Sequence, residues 1–551
     1  MNDAKPSPVL RLLPSLTDVA FLLPIVFLFA SMNGVKSMLG DGDTGYHIRA
    51  GEWILQNGSV PYRDMFSFTK PGEPWFAWEW LWEAAFAWLH QRGGMAWVVL
   101  ASILVIGMTF ALLFRLARRK CSNAFIAIGV TLVAVAASSI HWLARPHVFS
   151  LLFLVIFLSW ADRAAAGETR RLWWLLLLTV VWTNIHGAFI LGIAILGCYA
   201  AGALVSWLVE PDTEIRLAAL ARFRQFSLAG LGCAAASFIN PYTYHLHRHM
   251  YQFLSGRYHF ENISEYQPLN FHYPPAQFIE LMLVLGMAAV LWSVLRKRFA
   301  EAILLVLFLH GGLIAARNVP VYAIAAAPLV AAMLREMMEL LLQAPVAGWV
   351  RRAIAWFKEF AAEFGALDRA WRLHVVSAAG FAMLCMLVNA DAKQGKLRAE
   401  YDPKKYPAKA LEVLRSLPQE SRIFTDDEWG DYLIYRQYPE RKVFVDGRCD
   451  FYGEKFGEKY IHVMSARFGW EEHLQRYGID AILLPVRAAL SGVLKESRRW
   501  RVAYDDGVAI VFLPATGGQL GATPRTEPGA ASSAGKPDFV ARGLRWPGGR
   551  S

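Results

Sequence analysis

The stretch Asp41-Gly42-Asp43-Thr44-Gly45-Tyr46-His47 holds two carboxylates separated by one glycine, with an imidazole one helical turn beyond the second. A carboxylate so placed can take the proton of an acceptor hydroxyl in a group transfer. It can equally hold a divalent cation such as Mg or Mn against a phosphate. Asp43 and Asp41 are therefore the candidate catalytic pair, and the candidate ligands of any metal. Four other short stretches collect polar groups amid apolar sequence: His141 with Arg145-Pro146-His147; Asn184 with His186; Asn240-Pro241-Tyr242 with His245, His247 and His249; and Arg317-Asn318. Arginine suits a phosphate because its planar fork bonds two oxygens. Arg145 and Arg317, with His147 and His186, are candidate ligands of a donor phosphate; His47, Asn184 and Asn318 are further candidates. His245 and His249 have the spacing of a helical metal pair, but with Arg248 between them and no carboxylate near in sequence they make a weak zinc signal. Late in the chain, Val443-Phe-Val-Asp446-Gly-Arg448-Cys-Asp450 reads as a strand running into a charged turn, which makes Asp446 and Arg448 candidates at a strand end.

Each of these has a plainer reading. Asp-Gly-Asp-Thr also makes a helix-capping turn. Arg145 and Arg317 can snorkel to lipid headgroups. Asn184 and His186 can bond helix-end carbonyls, and Asp446 with Arg448 can be an ion-paired turn. What favours chemistry is where the stretches fall relative to the apolar elements that must position them.

Of the 551 residues, 55% are apolar and 18% charged, with a mean hydropathy of +0.30. That charged share is well below the roughly one quarter of a soluble domain. Apolar runs cover 19–35, 95–114, 124–143, 147–161, 172–185, 188–209, 226–239, 276–295, 301–316, 319–343 and 373–390. They predict a polytopic α-helical protein of about eleven membrane spans, several shorter than the ~20 residues a bilayer core requires. The net charge of +11 would suggest nucleic acid in a soluble protein. Here the excess follows the loops Arg115–Lys120, Arg163–Arg171, Arg216–Arg224, Arg296–Arg298 and Arg335–Lys358. This is the positive-inside pattern, and it places the N-terminus in the cytoplasm without a nucleic-acid partner. In that orientation every polar stretch above lies at the outer surface, where a cluster of ionisable residues is a functional candidate.

Three regions follow. Residues 1–395 form the transmembrane domain. Within it 36–94 is a first outer loop, in which Trp75, Trp78, Trp80, Trp82 and Trp88 with Glu79 and Glu83 read as an amphipathic surface helix. Residues 396–515 read as an extracytoplasmic α/β domain, with strands at 423–425, 442–445, 481–484 and 508–513 and helices at 428–436, 454–467 and 487–496. Residues 516–551, rich in Gly, Ala, Pro and Ser, read as a disordered tail. Five cysteines in this length exclude a disulfide scaffold.

A first span, an outer loop opening on an acidic motif, many further spans and a C-terminal extracytoplasmic domain together resemble the GT-C glycosyltransferase superfamily. The outline is similar to bacterial polyprenyl-phosphate-sugar transferases related to protein O-mannosyltransferases and aminoarabinose transferases. Local patterns carry the likeness: Asp41-Gly-Asp-Thr-Gly-Tyr-His-Ile-Arg-Ala-Gly-Glu-Trp, Pro61-Tyr-Arg-Asp-Met-Phe-Ser-Phe-Thr, Trp182-Thr-Asn-Ile-His-Gly, Arg317-Asn-Val-Pro and Phe444-Val-Asp-Gly-Arg. The resemblance implies a polyprenyl-phosphate sugar donor, transfer with inversion to a glycan, lipid or protein acceptor, and a place in the bacterial cytoplasmic membrane with the C-terminal domain outside. It puts the base or metal-binding role on Asp43 first and Asp41 second. Many relatives carry an adjacent acidic pair, whereas a glycine separates the two here. The competing classes are a polysaccharide ligase or polymerase, whose functional loop would fall late in the bundle, and a transporter or flippase, which would carry its polar groups near the bilayer midplane.

Overall fold

The computed structural model describes residues 11–272, 276–368, 372–390 and 395–515; the expected tail at 516–551 lies outside them. A helix lies over every apolar run read from the sequence. Among the described residues six helices are long and apolar enough to cross a membrane: Trp80–Cys121, Ala124–His141, His147–Ala165, Gly187–Val209, Ala276–Leu295 and Ala316–Gln343. Shorter apolar helices cover Leu16–Ala30, Trp174–Ile185, Phe299–Ile314 and Val375–Asn389. The Thr213–Ala236 helix opens on a charged half with Glu214, Arg216, Arg222 and Arg224. By length and composition, then, six helices qualify as spans where about eleven were expected. The chain is a polytopic helical membrane protein.

The chain divides into two compact units. The first comprises the described residues up to Met38, then Val99–Thr243 and Phe260–Ala399. It holds most of the apolar helices. The second comprises Leu39–Val98, Tyr244–His259 and the described residues from Glu400. The first outer loop, read from the sequence with the transmembrane region, therefore packs with the C-terminal segment.

Three strands and a short helix-flanked fourth give the second unit its sheet. The order is β1 (Ile423–Phe424), β2 (Ala481–Pro485), β4 (Ala509–Pro514), β3 (Trp500–Asp505). β1 pairs parallel to β2, while β2–β4 and β3–β4 are antiparallel. β2 and β4 are the inner strands, and their nearly unbroken apolar runs are buried. The sequence reading missed β3, because this edge strand is exposed and interrupted by Arg501 and Asp505. Conversely, Lys442–Val445 is no strand. Val443 makes one isolated bridge to Ser67, so apolar, β-branched sequence here serves burial rather than a sheet. The tryptophan-rich surface helix is also corrected. The helix starts only at Trp80, and Trp75, Trp82, Glu79 and Glu83 are buried.

The acidic motif is local helix geometry. Asp43 opens the Asp43–Asn57 helix behind Gly42 at the N-cap. That helix packs along Asp427–Gln437. A methyl group on Gly42 would lie 2.2 Å from the Glu428 carbonyl oxygen, and one on Gly45 would lie 2.7 Å from the Tyr435 Cβ. The glycines of the motif are thus spacers that let two helices approach backbone to side chain.

Candidate active site

In the second unit, Asp43 is not an isolated acid. Its side chain hydrogen-bonds the carboxyl of Asp431, which lies inside the Asp427–Gln437 helix. Burial pushes the Asp431 carboxyl well above its ordinary value, and the nearby carboxylates of Asp43 and Asp446 push it further. Two carboxylates in contact cannot both ionise cheaply. The two share a proton, and the upward push on Asp431 favours its side of the bond. The Gly447 N–H, 3.0 Å from Asp431 Oδ2, fixes the orientation of that carboxyl. A side chain at 447 would collide with the pair, since a methyl group there would lie 2.4 Å from Asp43 Oδ1 and 2.6 Å from Asp431 Oδ2. Asp43 also sits at the first position of its helix, where the helix dipole favours negative charge. The result is a half-buried carboxyl whose hydrogen-bonded neighbour is pushed toward its neutral form. That setting suits a general base.

Burial pushes the phenols of Tyr401 and Tyr406 upward, and the charge of Asp41 adds to both. Asp43 acts on the Tyr401 phenol as well, so the two acids share that neighbour. Among the described residues no group of three or more His, Cys, Asp or Glu is placed to hold a metal ion.

Asp446 and Arg448 form the floor beneath this pair. Arg448 Nε and Nη2 each donate to Asp446 at 2.7 Å, and Nη2 also donates to Asp64 Oδ1 at 2.7 Å. The Tyr452 hydroxyl donates to Asp446 Oδ2 at 2.8 Å. All are buried, with Arg448 only 2% exposed. The rings of Trp75, Phe451 and Phe66 lie within 4.6–5.0 Å of the guanidinium carbon. Arg448 ties the first outer loop, through Asp64, to the Gly447 turn that seats Asp431. His47 is likewise structural: its Nδ1 lies 3.0 Å from Glu83 and its Nε2 3.3 Å from Glu79. The histidine run on the Tyr244–Ser255 helix makes no metal pair. Its His249 instead bonds Asp450 at 2.9 Å and stacks on Phe76.

The first unit brings together the expected cations. His147 lies against His141, with ring centroids 4.4 Å apart and Nε2 at 3.0 Å from the His141 carbonyl. His186 follows at 6.4 Å from His147. A relay sets its tautomer: the Trp182 indole donates to Ser150 Oγ at 2.8 Å, and Ser150 lies 2.9 Å from His186 Nδ1. The Ala188 N–H also donates to that nitrogen at 3.2 Å. Nδ1 is therefore the acceptor, and the proton sits on Nε2. Arg317 Nη1 donates to Glu265 Oε1 at 2.8 Å, and its guanidinium lies over Tyr266. Burial alone would raise the Glu265 carboxyl, but Arg317, Arg145, His147 and His186 outweigh it and hold it below its ordinary value. Arg317 and His141 thus face the Glu265 carboxylate, with His147 and His186 following in succession, while Arg145 acts on its ionisation. Asn184 and Asn318 stand beside it but bond backbone, Asn184 to Val180 and Ile239 and Asn318 to Gly311.

Sequence reasoning missed Asp431 and Glu265. Asp431 had a readable signal. It lies one turn past Asp427, beyond the reach of the helix N-terminus that accounts for Asp426–Glu428. Glu265 had none, since a single acid in a long loop is unremarkable.

No protein-family profile matches the sequence, and no curated protein matches it. Solved structures do. The oligosaccharyltransferase of Archaeoglobus fulgidus, tethered by a disulfide to an acceptor peptide containing the NVT sequon, superposes with a TM-score of 0.52 at 13% identity. The match covers 85% of this chain and 68% of that one. The apo form of the same enzyme gives 0.51 at 12% identity, covering 85% and 69%. At such identities the likeness is one of fold alone.

Proposed function

We propose that this chain is a glycosyltransferase that moves a sugar from a lipid-linked phosphate donor to an acceptor at the outer face of the cytoplasmic membrane. The observation that carries this reading is the Asp43 carboxyl hydrogen-bonded to buried Asp431, at a helix N-terminus in a chain whose fold is like that of an oligosaccharyltransferase. Asp43 accepts the proton of the acceptor hydroxyl as its oxygen bonds the anomeric carbon. The bond from that carbon to the phosphate oxygen breaks, and the phosphate leaves with the electron pair. A single displacement of this kind inverts the anomeric centre. In the first unit, the charges of Arg145 and Arg317, with the imidazoles of His147 and His186 as further donors, suit a donor phosphate. The donor lipid is a polyprenyl chain, and the acceptor a glycan, lipid or protein. The neighbouring oligosaccharyltransferase is described with a peptide acceptor, so a peptide belongs among the acceptors tried.

The test is mass spectrometry of lipid co-purifying with the protein, followed by transfer assays with the lipid-linked sugar found. A phosphate-linked lipid sugar consumed by wild-type protein is expected. A protein that carries no such lipid and consumes none removes the reading.

A further inference from the structure

In the first unit the helix Gly348–Asp368 follows Val319–Gln343 and precedes Val375–Asn389. Its 21 residues would reach across a bilayer core, but Arg351, Arg352, Lys358, Glu359 and Glu363 spread charge along it. Charge in mid-membrane is costly, so the helix does not suit a span. One face is fixed to its own unit. The rings of Phe357, Phe360 and Phe364 lie 5.1–6.1 Å from that of Phe125. Asp368 accepts the Leu16 N–H at 2.8 Å and pairs with Arg118, whose Nη2 donates to the Gly365 carbonyl at 2.8 Å. These contacts decide where the adjoining face points. It carries Trp349, Trp356, Phe360 and Leu367, spaced by seven, four and seven positions, which makes one stripe along an α-helix. All four are exposed, Trp349 by 69% and Trp356 by 65%, and Trp356 stacks on Phe360. On the remaining arc Arg351, Lys358 and Glu359 are exposed, and exposed Arg352 borders the stripe one turn from both tryptophans.

We infer that Gly348–Asp368 lies in the plane of a membrane surface, with its aromatic stripe in the upper acyl layer and Arg351 and Arg352 among anionic lipid headgroups. A helix with Trp and Phe on one arc and charge on another has the build of an interfacial helix. The indole suits that boundary because its ring is apolar and its N–H polar. The charge chooses the lipid. From Ala344 to Lys358 the sequence holds three basic residues and no acid, and the acids Glu359 and Glu363 come only after them. Lys358 pairs with Glu339 at 2.6 Å, and Arg351 bonds the Ala344 carbonyl through one nitrogen at 3.0 Å. A guanidinium has five N–H groups, so Arg351 keeps donors for a lipid phosphate. Basic residues at this depth draw anionic lipid to the first half of the helix.

The test places purified full-length protein in nanodiscs whose phospholipid is brominated either near the headgroup or near the chain end. Bromine quenches tryptophan at close range only. The difference between wild type and Trp349→Phe/Trp356→Phe isolates those two rings among the 21 tryptophans. Shallow bromines are expected to quench that difference at least about two-fold more than deep ones. Shallow bromine carried on phosphatidylglycerol is expected to quench it more than the same fraction carried on phosphatidylcholine. Arg351→Gln/Arg352→Gln should abolish that preference and leave the shallow quenching in place. Deep quenching equal to or above the shallow overturns the in-plane placement. Equal quenching by the two headgroups in wild type overturns the choice of anionic lipid. No quenching together with a dimeric mass in detergent gives the stripe to a second copy, and no quenching of a monomer leaves it uncovered; either overturns the inference. Hydroxyl-radical footprinting of wild type in nanodiscs reads the same rings without any variant. Protection of Trp349 and Trp356 is expected, and oxidation at the level of a water-exposed tryptophan overturns the placement even if the double variant fails to fold.

Discussion

Asp43 and Asp431 lie 388 positions apart in the chain, yet their carboxyl groups share one hydrogen bond. Burial, with the neighbouring carboxylates of Asp43 and Asp446, pushes the Asp431 carboxyl well above its ordinary value and favours the proton on its side of that bond. The pair thus resolves into a proton holder and a proton acceptor, and four of the predictions below follow from it or from its supports.

Replacing the acceptor removes the base. Asp43→Asn is expected to lower kcat by about 10²–10⁴-fold, the usual worth of general base catalysis. Expression and membrane insertion should be unaffected. Transfer at the wild-type rate by purified variant would take the role from Asp43.

The proton holder leaves a mark on stability against pH. The folded carboxyl of Asp431 titrates well above its ordinary value of 3.8. Its contribution is therefore fully present below about that value and is lost as pH rises toward the folded value. Asp431→Asn keeps a hydrogen-bond donor and cannot ionise. Its melting temperature relative to wild type should rise steadily from mildly acid to alkaline pH. Parallel curves for the two proteins would show that Asp431 ionises normally.

Gly447→Ala tests the seat of the pair. The added methyl group would meet Asp43 Oδ1 and Asp431 Oδ2 well inside contact distance. Overpacking of this kind costs about 1–3 kcal/mol. Activity should fall as far as in Asp43→Asn while the protein still folds. An active Gly447→Ala protein would mean that the geometry of the pair does not matter.

Arg448 is expected to matter for folding rather than chemistry. Removing one partner of a buried charge network costs roughly 3–5 kcal/mol, and Arg448→Ala leaves Asp64 and Asp446 unpaired in the interior. Arg448→Lys should rescue little, since an ammonium cannot reproduce the fork that bonds both acids. Thermal unfolding of the purified proteins decides this. Wild-type stability in either variant would show that the network is dispensable.

The cationic cluster should be read in kinetics. Arg317→Ala or Arg145→Ala removes a charge-assisted contact worth about 1.5–3 kcal/mol, so kcat/KM for the lipid donor should fall roughly 10- to 100-fold. KM for the acceptor should hardly move. Equal effects on both substrates would argue that these arginines only support the fold.

Much of this was legible in the sequence because it is local. An apolar run becomes a helix in a membrane since every backbone group must find its partner within the segment, and helices do lie over all of those runs. The inner strands β2 and β4 were legible for a similar reason, as short apolar runs. The exposed edge strand β3 was not, because its side chains face water and leave no pattern. Val443-Phe-Val misled in the opposite direction. Its residues are buried against Phe66, Ser67 and Gly430 rather than paired in a sheet.

The sequence by itself determined the helices, the ends at which polar residues gather, and the residue types available for acid–base and phosphate chemistry. Hydropathy and charge act over neighbouring residues, so they can be read along the chain. Only the tertiary structure decided which groups work together. It set Asp431 beside Asp43 and turned Asp446 and Arg448 into a buried support. It also placed Glu265 among the cations. Charge state and hydrogen bonding depend on groups hundreds of residues away, and folding alone brings those into contact.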